Sequence, residues 1–144
     1  MSVHGHLVDG RGTTSRAKVT QHGQLVTAPL HYDDTKFLEM AAAATAYNFY
    51  EPKGHKQFVI TGVVAFADKE VANNSDTDIV VYEADSASNA TASKVLLQFG
   101  LGSLTSLAIT PLNLLVNEGV YVNGKTSDDD VHMTIMGYYI DAFT

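Results

Sequence analysis

The sequence contains no cysteine and no tryptophan. Without cysteine the chain has no disulfide scaffold, no thiol nucleophile and no cysteine-ligated zinc. Without tryptophan it lacks the strongest stacking platform for a sugar. No run of 18 apolar residues occurs, so the sequence predicts no membrane span. Residues 1–16 also lack the apolar core of a secretory signal.

Charge is distributed unevenly along the chain. The net charge is −7, yet residues 1–18 carry Arg11, Arg16 and Lys18 against Asp9 alone, which leaves the remainder strongly acidic. An acidic body repels phosphate groups, so a nucleic acid partner is not expected. A short basic, glycine-containing head is typical of an interaction arm, with an ordinary frayed terminus as the alternative.

The pattern from residue 56 to residue 84 predicts two strands. The segment KQFVITGVVAFADKE is rich in β-branched and aromatic residues, and DIVVYEA follows after the polar segment VANNSDT. Strict alternation would put Phe58, Ile60, Val64 and Phe66 on one face of the first strand, and Val59 on the other. Since both faces are apolar, we expect a strand covered on both sides and paired with the next strand across a turn.

The remaining segments predict further short strands. Residues 36–50 fit two strands, although the alanine run at 41–44 leaves one helical turn as an alternative. Pro111 divides residues 104–116 into two pieces, and Asn123-Gly124 is either a hairpin turn or a bulge. Eight to ten short strands with frequent turns indicate an all-β fold, an antiparallel β-sandwich that is jelly-roll-like. We assign residues 32–144 to this domain and residues 1–31 to an extended N-terminal arm with a first strand.

No pattern of catalytic or metal-binding residues emerges. The pair His4 and His6 lacks a defined third ligand, and neither the acidic turn near residue 76 nor residues 128–130 match a calcium-binding loop. There is no G-x-S-x-G motif. The sequence therefore predicts no enzyme, no cofactor and no metal site, and it places His132 on the second face of a strand.

Two adjacent tyrosines are the candidate subunit contact. Tyr138 and Tyr139 lie in the predicted last strand, where consecutive side chains point to opposite faces. One of them is expected in the core, and the other is available to a neighbouring subunit. Tyrosine is enriched at protein interfaces, although a half-exposed tyrosine is also ordinary.

Six short segments carry a resemblance to a known group of proteins: AKVTQHGQLV (17–26), YNFYEP (47–52), QFVITG (57–62), DIVVYEA (78–84), LNLLVNEG (112–119) and MGYYI (136–140). They resemble small virion proteins of tailed bacteriophages, especially those of marine and cyanobacterial hosts. This resemblance implies a jelly-roll-like domain, trimeric, on the outside of a capsid or at a fibre tip. It transfers no functional residues, because that group has no defined site motif.

The leading functional hypothesis is a capsid decoration or cement subunit without catalysis, assembled in the host cytoplasm and located on the virion. Its partners are the major capsid protein and two further copies in a homotrimer. Arg11, Arg16 and Lys18 of the arm would contact the acidic capsid surface, while Leu25 and Val26 would add a strand. The alternative is a fibre head or a carbohydrate- or receptor-binding module, with its site in loops 68–78, 85–93 and 126–130.

Overall fold

A computed structural model describes residues 34–67, 77–102 and 105–142, and these residues form strands, turns and loops with no helix. Accordingly, no helix suited to crossing a membrane occurs in these ranges. The predicted arm, residues 1–31, lies outside them. Nine strands occur in the described ranges: β1 (Asp34–Met40), β2 (Tyr47–Tyr50), β3 (Lys56–Ala67), β4 (Thr77–Ala84), β5 (Lys94–Leu101), β6 (Ser106–Ile109), β7 (Leu114–Leu115), β8 (Tyr121–Thr126) and β9 (Val131–Asp141).

The strands form two antiparallel sheets that pack face to face. One sheet has the order β1-β9-β3-β6, with β7 also paired to β3, and the other has the order β2-β8-β4-β5. If β6 and β7 are taken as one interrupted strand, consecutive strands enter the sheets in the double Greek-key order of a jelly roll. The predicted all-β antiparallel sandwich of jelly-roll type is therefore confirmed.

The predicted pairing of the two central strands is wrong. β3 pairs with β9, β6 and β7, whereas β4 pairs with β5 and β8 in the other sheet. A polar segment between two strands fits a hairpin and a crossing between sheets equally well. The jelly roll requires the crossing at this point, and each of the two strands lies between two neighbours of its own sheet. The expected cover on both faces is not complete, because Val64 and Phe66 on the outer face of β3 are each 38% exposed.

Strict alternation in β3 is also wrong, because the strand contains a bulge. The register with β9 shifts between Ile60 and Gly62, so the residues that face the core are Phe58 and Ile60 before the bulge and the odd-numbered Val63, Ala65 and Ala67 after it. One extra residue reverses the side-chain alternation. Val64 and Phe66 are thereby turned away from the core.

The segment around the alanine run forms two strands, as favoured over the helical turn. Residues 41–46 form a tight turn in which Ala44 has a φ of 56°. This turn is held by the Ala44 amide, which donates to the Thr126 carbonyl at 2.8 Å, and by the Ala43 amide, which donates to the Asp129 carboxylate at 2.8 Å. Asn123-Gly124 is neither a hairpin turn nor a bulge. Both residues lie within β8, and the register shift is in β2 opposite.

Candidate interaction surface

The outer face of the five-stranded sheet carries a group of exposed apolar side chains. The register aligns Phe37, Thr134 and Val64 in one row across β1, β9 and β3. The neighbouring row contains His132 beside Phe66. Phe37 is 60% exposed, and Phe66 is 38% exposed. We call these five residues the aromatic face.

Ring stacking organises the aromatic face. The rings of Phe37 and His132 are nearly parallel, with centroids 5.7 Å apart and an interplanar angle of 10°. Phe66 approaches His132 from the other side, at 6.4 Å and 29°. His132 thus lies between two phenylalanines, on the second face of β9 as predicted. Such contacts restrict the rings before any partner arrives, which lowers the entropy cost of binding.

The aromatic face is nearly uncharged in an otherwise acidic protein. In its two rows, which continue to Ser106 and Ala108 on β6, the one acidic residue is Glu39 at the margin. Strand spacing and residue rise give the rows a backbone footprint of roughly 14 Å by 7 Å. This is the size of an interface centre rather than of a whole interface, which buries about 800 Å² per partner.

Tyr138 and Tyr139 point to opposite faces of β9, as predicted. Tyr139 packs against the core, with its ring 4.9 Å from that of Phe58, and its hydroxyl donates to the Glu51 carbonyl at 2.8 Å. Burial raises the pKa of Tyr139. Tyr138 is half-buried on the outer side, opposite Val59. Tyr139 is therefore engaged within the chain, and the subunit contact predicted for this pair stays a prediction.

A buried glutamate joins the two sheets. Glu83 on β4 is 2% exposed, and its carboxylate accepts hydrogen bonds from the backbone amide and the side-chain amide of Asn117, both at 2.9 Å. The Lys94 ammonium lies 3.7 Å from the same carboxylate. Because Asn117 follows β7 of the opposite sheet, this interaction, which we call the Glu83 clamp, is a structural link between layers.

Other buried polar groups also hold the backbone. Asn123 is fully buried, and its side-chain amide donates to the carbonyls of Ser86 and Asn89. The Tyr50 hydroxyl donates to the Ile135 carbonyl at 2.6 Å. Burial, together with the negative charge of Asp34, raises the pKa of Tyr50. These side chains hold loops and strands of the sandwich together.

A small cleft lies between the sheets near the ends of β2 and β9. Its enclosed space is about 10 Å³, and Tyr50, Phe58, Val116 and Tyr139 are among its lining residues. This is room for about one water molecule, far below the roughly 300 Å³ at which small-molecule sites begin. Within residues 34–67, 77–102 and 105–142, no cluster of three or more His, Asp or Glu side chains has an arrangement that could hold a metal ion.

Two of the three loops proposed for a sugar or receptor site, 126–130 and 85–93, lie at opposite ends of β4. Ser127 donates its amide to Asp78, which places loop 126–130 beside the start of β4. Loop 85–93 follows the other end of β4 and folds over the outer face of the four-stranded sheet, where Tyr82 donates its hydroxyl to the Asn89 carbonyl. Most of loop 68–78 lies outside the described residues. Loops 85–93 and 126–130 therefore do not share one surface, because the loops at the two ends of a strand lie at opposite ends of the sandwich.

The residues predicted to contact the capsid, Arg11, Arg16, Lys18, Leu25 and Val26, all lie outside the described residues. The sequence analysis did not identify Phe37 as a surface residue. The available signal was alternation in β1, where Phe37 lies between the polar residues Thr35 and Glu39. Strict alternation assigned Phe66 to the wrong face of β3, because the bulge is not visible in the sequence pattern.

Comparisons with known proteins do not assign a family. No protein-family model and no curated protein matches the sequence. Among solved structures, the chain is similar to one from Bacillus endospore appendages, which form a novel family of disulfide-linked pili. The identity is 16%, the TM-score is 0.29, and the match covers 72% of this chain and 85% of that chain. At this level of similarity no function is transferred, and the description of this chain remains that of an antiparallel jelly roll.

Proposed function

We propose that this chain is a structural protein of a tailed-phage virion, a decoration subunit that binds the outer surface of the head as a trimer and catalyses no reaction. The observation that carries the proposal is the aromatic face, a preorganised and nearly uncharged surface on a rigid sandwich. A jelly roll alone supports many functions. The choice of a virion among them follows the resemblance of the short sequence segments described above.

The aromatic face suits contact with another protein. Its residues come from three neighbouring strands, so its shape is fixed by backbone hydrogen bonding rather than by loops. Aromatic side chains supply large contact area at low entropy cost, and they are enriched in the centres of interfaces. Because the face has almost no charge, an acidic partner surface is not repelled there.

The buried polar groups fit a structural role. The Glu83 clamp fixes β4 to the segment after β7. Asn123 fixes the loop of residues 85–93, and Tyr50 fixes β2 to β9. All of these contacts tie one part of the sandwich to another, which suits a module that must stay folded on an exposed particle surface.

Co-sedimentation tests this proposal directly. Purified protein is mixed with heads of a tailed phage assembled without it and pelleted through a sucrose cushion, while light scattering gives its mass in solution. We expect saturable binding at a fixed number of copies per head, and a trimer before or after binding. No binding to heads, combined with reproducible sugar binding on a glycan array, would overturn the proposal in favour of the receptor-binding alternative.

A further inference from the structure

Among the described residues the two sheets have four edges, with β6 and β7 counted together as one, and three of these edges are protected against pairing with another strand. β1 carries the charged residues Asp34, Lys36 and Glu39. β2 has only four residues and a register shift. β6 and β7 are short and are separated by a segment that contains Pro111. Charge, shortness, irregular register and proline are the usual means by which proteins block edge-to-edge pairing.

The fourth edge strand, β5, has little protection of this kind. It runs for eight residues, KVLLQFGL, with one charge at its first position and no proline. Val95 is 51% exposed, and Leu97 and Phe99 are half-buried beside the core. β5 does contain a register shift near Leu96, but five regular pairs with β4 follow it. Within residues 34–67, 77–102 and 105–142, no strand pairs with the far side of β5.

The chain itself contains a segment that fits this edge. Residues 19–26, VTQHGQLV, carry no Asp, Glu, Lys or Arg and match the length of β5. They belong to residues 1–33, which precede β1 and lie outside the described structure. We propose that residues 19–26 of a second copy add to β5 as a fifth strand of the four-stranded sheet. The added strand would complete the hydrogen bonding of β5 and cover the half-buried side of Leu97 and Phe99.

A second copy suits this edge better than the same chain. β1 and β5 are the outermost strands at opposite sides of their two sheets. Three strand spacings and the separation between sheets put the edges about 17 Å apart. Residues 27–33 span about 23 Å when fully extended. To reach β5 of the same chain, residues 27–33 would have to pass outside the end loops 51–55 and 116–120, and this detour lengthens the path they must span. The segment of a neighbouring copy can approach β5 directly.

Cysteine cross-linking tests the pairing, because the native chain has no cysteine to interfere. Leu25→Cys is made in one preparation, and Val95→Cys or Gln98→Cys in another. The two are mixed and treated with a bismaleimide that spans about 8 Å, the diagonal distance between neighbouring strands. Ser88→Cys, at an exposed position outside β5, serves as the control acceptor. We expect a cross-linked dimer with Val95→Cys or Gln98→Cys at a yield at least tenfold above that with Ser88→Cys.

Equal yields at all acceptors, or no dimer, would overturn the pairing. A cross-link that forms only within one chain, in the Leu25→Cys/Gln98→Cys double variant, would assign the edge to the chain's own segment and would also overturn it. Adding Gln98→Lys to the Val95→Cys chain should reduce the dimer about tenfold, since charge protects an edge, while Ser88→Lys should not. This test does not involve phage heads, so its outcome is independent of the virion proposal.

Discussion

The Glu83 clamp is expected to contribute measurably to folding stability. Glu83 is 2% exposed, and its carboxylate accepts two hydrogen bonds at 2.9 Å from Asn117. Hydrogen bonds to a charged group contribute about 1.5–3 kcal/mol each. Asn117 itself is exposed and recovers part of that energy from water when the carboxylate is removed. We therefore expect Glu83→Ala to lower the free energy of unfolding by about 3 kcal/mol, and Glu83→Gln, which keeps one acceptor, by about 1.5 kcal/mol.

Urea denaturation followed by circular dichroism measures this effect, with an unchanged m-value as the condition for comparison. Glu118→Gln is the matched control, because it makes the same change in charge at an exposed glutamate. We expect the control to lie within about 0.5 kcal/mol of the parent protein. Equal midpoints for Glu83→Gln and Glu118→Gln would refute the clamp.

Three further predictions concern packing, pH and the N-terminal segment. Gly137→Ala should lower the free energy of unfolding, measured in urea, by about 2–4 kcal/mol, because the new Cβ would collide with the Val59 carbonyl. Gly54→Ala is the control and should be nearly neutral, because a Cβ at residue 54 has nothing within 4 Å. Equal effects of the two substitutions would contradict this prediction. Because burial raises the pKa of Tyr50 in the folded state, its contribution should be complete below about pH 10 and lost as the pH rises further. Tyr50→Phe should therefore flatten the alkaline decline in melting temperature, and an unchanged decline would contradict the assignment. Deleting residues 1–18 should abolish binding to heads yet leave the thermal transition nearly unchanged, and retained binding would exclude an arm contact.

The fold class followed from the sequence because short strands and turn residues recur along the whole chain. Alternation in β9 correctly placed His132 on the second face of the strand, opposite the buried Met133 and Ile135, because β9 contains no bulge that would reverse its faces. The same alternation did not predict the faces of β3 correctly. A single register shift beside Gly62 reversed its alternation, and a bulge depends on tertiary packing that a single sequence does not display.

The candidate surface was less predictable than the fold. Its residues are brought together by the pairing of β1 and β3 with β9, which joins parts of the chain that are far apart in sequence. Phe37 and Phe66 are large apolar residues of the kind that usually lie in a core. Only the strand register shows that their side chains face outwards. The predicted pairing of β3 with β4 was wrong for a related reason. The residue types in a turn do not determine whether the next strand joins the same sheet or the opposite one.

The most direct test of the central claim is the affinity of a Phe37→Ser/Phe66→Ser variant for phage heads. The exposed fractions of the two rings, 60% and 38%, correspond to about 200 Å² of apolar surface. Burying this area would provide at most about 5 kcal/mol, from which ordering costs are subtracted. We therefore expect about 100-fold weaker binding with the fold intact by circular dichroism.

Leu107→Ser, at a comparably exposed apolar residue outside the aromatic face, is the control and should bind as the parent does. Co-sedimentation of the three proteins with the same heads gives the comparison. A large loss of binding confined to the Phe37→Ser/Phe66→Ser variant is the result that the account predicts. Parent-like binding by that variant would contradict it.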